Sequence, residues 1–129
     1  MAGLYGNGVE LTEKMLDFLW GRQKVTLSNI SNNDTPGYKS RYITFEEELQ
    51  TRIQKASQTG RPRTSVSQAI DSARVRVHTT RNESTRLDGN NVDMDQEQVD
   101  LVRNAYEYQY MLSSINNDFK RLQNAAKAF

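Results

Sequence analysis

The chain contains no cysteine. Disulfides, thiolate metal sites and cysteine nucleophiles are excluded together, so any fold must close without a covalent staple. Long apolar runs are absent too. No stretch of about 18 apolar residues occurs, so no segment reads as a membrane span. The most apolar early stretch, Met15 to Trp20, is short and broken by Asp17, and no small-residue cleavage site follows it. The expectation is a chain without a cleaved secretory signal, which keeps its N-terminus if it is exported. Histidine occurs once. His78 has neither cysteine nor an acidic residue beside it, which argues against a metal site or a histidine-dependent triad. No phosphate loop or dinucleotide fingerprint occurs, and the carboxylates fall on helix ends and loops, with no sign of a buried acid–base pair. The group Asp88, Asn90, Asp93, Asp95 and Glu97 does not have the order of an EF-hand loop, which alternates ligands and ends on a glutamate. A turn followed by a helix start accounts for it. No catalytic residue, cofactor or metal is expected, and therefore no enzyme.

What is present is polar. Of 129 residues, 36% are hydrophobic and 26% charged, and the mean hydropathy is −0.81. The formal net charge is +1, but it is unevenly spread: −1 over residues 1–53, +5 over 54–86 and −3 over 87–129. The basic middle holds Arg74, Arg76, His78, Arg81 and Arg86 and has no aromatic residue. A nucleic-acid-binding helical module is the alternative that this suggests. The lack of a stacking platform and the acidic ends argue against it, and a solvated or subunit-bridging basic face is the preferred reading.

Residues 1–8, with three glycines, read as a flexible lead-in. A helix is expected over 9–30, with Leu16, Leu19, Trp20, Gln23, Leu27 and Ile30 recurring at three- and four-residue steps. Asn29 to Tyr38 then supplies helix-stopping Asn, Ser and Asp residues, and Pro36-Gly37 suits the central positions of a type II turn. Residues 31–55 form this turn and a short helix, opened by a capping box from Thr44 to Glu47. Residues 56–91 read as a polar, basic middle, partly disordered, with one alternating strand over 73–79 whose weak partner lies around 38–45. From 92 to 129 the strongest pattern appears: Leu101, Ala105, Tyr108, Leu112, Ile115, Phe119, Leu122, Ala126 and Phe129 alternate steps of 4 and 3. A sustained period of about 3.5 residues marks a seam that wraps another helix, and Asp95 is a candidate cap. The fold class expected is mainly α: two long terminal helices in a coiled-coil-like pair, a short helix, and a loop-rich middle with little β. The two stripes are the expected subunit interface.

Three groups of residues resemble one family. Asn29-Ile30-Ser31-Asn32 with Thr35-Pro36-Gly37-Tyr38 is similar to its N-terminal motif; Phe45-Glu46-Glu47 leads into Leu49; and Asp88-Gly89-Asn90-Asn91-Val92-Asp93 precedes Asn104-Ala105-Tyr106 and Tyr108-Gln109. Together they resemble the short proximal rod proteins of the bacterial flagellar basal body, more the FlgB type than the sibling short rod subunit. Ser31 departs from the alanine usual there. The likeness spans about 9–53 and 86–129 and leaves the middle unmatched. It implies a structural subunit, exported uncleaved by the flagellar type III apparatus. Such subunits polymerise in the periplasm or cell-wall space into a rod that carries torque and serves motility. The implied partners are copies of itself, other rod proteins, and the basal adaptor and membrane ring, with no nucleic acid and no membrane insertion.

Overall fold

The computed structural model describes residues 8–81, 84 and 86–127. The expected lead-in therefore lies, apart from Gly8, outside the described residues, and so does Phe129.

Helix α1 runs Gly8–Ser31, strand β1 Arg41–Thr44, helix α2 Glu46–Ser57, helix α3 Pro62–Ser72, strand β2 Arg76–Thr79 and helix α4 Met94–Lys127. The fold is mainly helical, with long helices first and last and a small sheet between. Side chains that compete with the backbone end α1: Ser31 Oγ bonds Leu27 O at 2.9 Å and Asn32 Nδ2 bonds Ser28 O at 2.8 Å. Strands β1 and β2 pair antiparallel, Tyr42 opposite His78 and Ile43 opposite Val77.

Helix α4 has 34 residues, so it is about 50 Å long. No glycine or proline interrupts it, and Asp95 and Glu97 sit at its positive end. Its cap is Asp93 rather than the expected Asp95: Asp93 Oδ1 accepts from Gln96 N at 3.3 Å. The expected capping box at α2 also does not form. Thr44 Oγ1 is taken by His78 Nε2 at 2.7 Å across the sheet, and Glu46 Oε2, not Glu47, accepts from Phe45 N at 3.3 Å. Sheet pairing has won over local capping.

The middle is more ordered than its composition suggests. Over Pro62–Ser72 the polar run forms α3, with proline at its start, where a missing N–H costs nothing. Val66 and Ile70, one turn apart, are its buried residues. Helices α2 and α3 pack on each other and α3 also touches α1.

The core gathers Phe18 and Leu19 of α1, Ile43 of β1, Phe45, Leu49 of α2 and Ala73, with Met15, Tyr108 and Met111 packed around them. Leu19 is 0% exposed. The sheet and α2–α3 thus cover one side of the antiparallel α1–α4 pair.

Candidate assembly faces and the junction that aims them

The two motif segments meet. Pro36-Gly37 forms the expected turn: Tyr38 N bonds Thr35 O at 3.2 Å and Gly37 has φ 73°. Gly89, at φ 79°, sits against it, and a Cβ built on Gly89 would lie 3.7 Å from Gly37 Cα. Gly37 N donates to Asp88 O at 2.7 Å and Asn91 N to Tyr38 O at 3.2 Å. Left-handed backbone costs a residue with a Cβ about 1–2 kcal/mol. Gly89→Ala and Gly37→Ala are each expected to lower stability by about that much. Gly37→Asn should lose less, because asparagine tolerates this region. Urea unfolding of the three variants measures the order.

Three asparagines hold this junction. Asn90, 1% exposed, donates through Nδ2 to the carbonyls of Asn32, Asn33 and Thr35 at 2.8, 3.0 and 2.9 Å, and its Oδ1 accepts from Val92 N at 2.8 Å. Asn91 Oδ1 accepts from Ser40 N at 2.7 Å, and its Nδ2 donates to Thr80 O at 2.9 Å. Arg86 reaches in to Asn33 and Val92. Asn29, also buried, makes four bonds: to Arg41 O at 2.7 Å and Glu97 Oε1 at 3.1 Å, and from Tyr38 Oη at 3.1 Å and Arg41 N at 3.0 Å. Thus Asn29, Asn32, Thr35, Gly37, Tyr38, Asp88, Gly89, Asn90, Asn91, Val92 and Asp93 form one connected unit at the shared end of α1 and α4. Pro36 lies on its exposed rim.

Farther along the pair, Asn104 Nδ2 bonds Leu19 O and Gln23 Oε1, both at 2.8 Å. The seam that α4 turns toward α1 is therefore Glu97, Leu101, Asn104, Tyr108, Met111 and Ile115. It shares Leu101, Tyr108 and Ile115 with the stripe read from the sequence. Ala105, Leu112 and Phe119 are rotated to its edge, because Asn104 finds bonding partners on α1 that a hydrophobicity count does not see. Leu19 and Ile115 are buried within the chain. Leu16, Gln23, Ile30, Leu101, Ala105, Tyr108 and Leu122 are half-buried, and Ala126 is exposed.

Trp20, Leu27, Leu112 and Phe119 are exposed. Trp20 lies 6.2 Å from Tyr108, ring centre to ring centre. With Ala105 these side chains follow the side of the α1–α4 pair that faces away from the sheet. A second apolar stripe, absent from the sequence reading, lies on the far side of α4: Val99, Val102, Tyr106 and Tyr110 are 51, 54, 70 and 72% exposed. Its steps of 3, 4 and 4 were a usable helical signal, hidden beside the longer heptad run.

The charges form no single field. A cleft between α1, β1 and α4 is lined by Arg22, Arg41, Glu97, Asp100, Arg103 and Glu107. The basic middle is divided: Arg86 points inward, and Arg76 pairs with Glu48 at 3.0 Å. Burial pushes the Glu97 carboxyl above its ordinary range; the Asn29 hydrogen bond opposes this and the nearby Asp100 and Asp93 add to it. At Glu46 burial pulls upward as well, but the bidentate Arg22 contact, at 2.7 and 2.9 Å, leaves that carboxyl below its ordinary range. The two therefore act oppositely. A raised folded-state value means stability present at low pH and lost as pH rises through it; a lowered one means stability present at neutral pH and lost on acidification. Glu97→Gln should raise stability near neutral pH, with the gain vanishing below about pH 4.5, the ordinary value. Glu46→Gln should lower stability near neutral pH and do little in acid. Urea midpoints between about pH 4 and 8 test both signs.

Among the described residues, no helix is long and apolar enough to cross a membrane. No family model matches the chain. It is 34% identical over 119 residues to the flagellar basal body rod protein FlgB of Escherichia coli (strain K12), with 83% of each chain covered. To that of Aeromonas hydrophila it is 37% identical over 109 residues, with 82% of each covered. To that of Bacillus subtilis (strain 168) it is 27% identical over 120 residues, with 93% of each covered.

Proposed function

The chain belongs to the FlgB family of flagellar basal body rod proteins, and from that premise we propose that it is a structural, non-catalytic subunit of the proximal rod that polymerises through its terminal helices. In this reading the rod passes torque from the membrane ring to the distal rod and hook. Its neighbours are further copies, other rod proteins and the basal adaptor. The subunit reaches the periplasm or cell-wall space through the flagellar type III apparatus without signal cleavage.

The observation that carries the reading is the uncovered side of the α1–α4 pair. The sheet and α2–α3 cover one side, while Trp20, Leu27, Leu112 and Phe119 stay in water on the other. Four large apolar side chains along one face of a helix pair are what a helix of a neighbouring subunit would bury, at roughly 1 kcal/mol each, because each is already about half covered within the chain.

Trp20→Glu with Leu112→Glu tests it. Both positions are exposed, so the protein should keep its helical content and unfolding midpoint, while a strain carrying it should lose swimming and fail to build rods. Unimpaired motility would overturn the reading. Pro36→Ala with Gly37→Ala should impair rod assembly more than export, since that turn sets how α1 leaves the junction.

A further inference from the structure

We propose that free copies of this protein pair with one another in antiparallel fashion through the outer stripe of α4, Val99–Val102–Tyr106–Tyr110. The proposal does not depend on the rod reading, because this stripe lies on the side of α4 turned away from α1 and apart from the Trp20 face.

The stripe is complementary to itself. Two α4 helices laid antiparallel, with residues 104–105 of each at the centre, set Val99 of one copy against Tyr110 of the other and Val102 against Tyr106. A small side chain thus meets a large one at every step. The flanking charges match in the same register. In an antiparallel helix pair each flank faces the same flank of the partner, as e and g positions do in coiled coils. Arg103 of each copy then faces Glu107 of the other, twice, by symmetry. Neither residue makes an ion pair with any described residue of its own chain, so both are available. Together with Val99, Val102 and Tyr106 they line one shallow concavity on the surface. A parallel arrangement would place Tyr106 against Tyr106 and turn the Arg103–Glu107 flank toward the opposite flank of the partner, and loses both matches.

The contact is small. Two tyrosines and two valines from each copy bury about 800 Å² in all, under the ~1,200 Å² at which stable interfaces begin. A weak dimer is expected, with a dissociation constant on the order of 100 µM. A two-fold contact closes on itself and cannot propagate, so this pair describes the unassembled protein and not the packing of a rod.

Sedimentation equilibrium of the full chain at increasing concentration tests the proposal, with circular dichroism to check that each variant is folded. The wild type should show a concentration-dependent dimer, and Val102→Glu should abolish it. Arg103→Glu alone, or Glu107→Arg alone, should weaken it about tenfold by setting like charges opposite each other. An equimolar mixture of those two variants should recover association as a heterodimer, and the double variant R103E/E107R should recover it as a homodimer. Trp20→Glu should leave it unchanged. A chain monomeric at about 1 mM, a dimer indifferent to Val102→Glu, or failure of the charge-reversed mixture to associate would overturn the proposal.

Discussion

Asn90→Asp is expected to destabilise the fold by about 3–5 kcal/mol at neutral pH, the range for a buried charge left without a partner. The shape of the side chain is nearly unchanged, so the whole effect is chemical. The Nδ2 group of Asn90 faces the carbonyls of Asn32, Asn33 and Thr35; a carboxylate there would face three acceptors and donate nothing. The new carboxyl should hold its proton more tightly in the folded state than in the unfolded chain. The loss should therefore shrink on acidification, where the protonated acid regains one donor. Asn90→Ala, which removes the donor without adding charge, should cost about 1–3 kcal/mol with no such pH dependence. Urea unfolding at neutral pH and near pH 4 separates the two variants. Equal losses at both pH values for Asn90→Asp would mean that the three-carbonyl contact is not what holds the junction.

Phe45→Ala should be of similar size, about 3–5 kcal/mol, for an unrelated reason. Phe45 is 1% exposed, packs tilted against Phe18 with ring centres 4.9 Å apart and lies under the Arg22 guanidinium at 4.5 Å. It stands where β1 passes into α2, so its ring joins the sheet, α1 and α2. Removing it leaves a cavity that three elements border and none can collapse into alone. The urea midpoint should fall with little change in slope, since the native surface is otherwise kept. Against a typical total of about 5–15 kcal/mol, either substitution removes a large share of the stability.

How much of this could be read from the residues follows from which forces leave a local trace. The terminal helices left one, because burial along a helix repeats at three and four residues. The turn at Pro36-Gly37 left one as well, since proline and glycine fix backbone angles by themselves. Helix α3 left almost none. Its apolar content is chiefly Val66, Ala69 and Ile70 amid serine, threonine and glutamine, and what orders it is packing on α2. The inward seam of α4 was half legible. Leu101, Tyr108 and Ile115 were read correctly as its repeat, but hydrophobicity assigned Ala105 and Leu112 the places that Asn104 and Met111 occupy. A buried amide whose partners sit some 80 residues away has no signature in its own neighbourhood. The motifs at 29–38 and 88–93 were recognisable as motifs, but nothing in either segment says that the two form a single junction.

The contact between Gly37 and Gly89 has a consequence for the order in which the protein can be made. A chain that emerges N-terminus first holds α1 and its turn early, but the side-chain amide that ties the carbonyls of Asn32, Asn33 and Thr35 together comes only with Asn90, more than fifty residues later. Contacts over that separation close slowly. The clasp therefore cannot shut until about two-thirds of the chain has been made, and any chain cut short before about residue 90 should remain open.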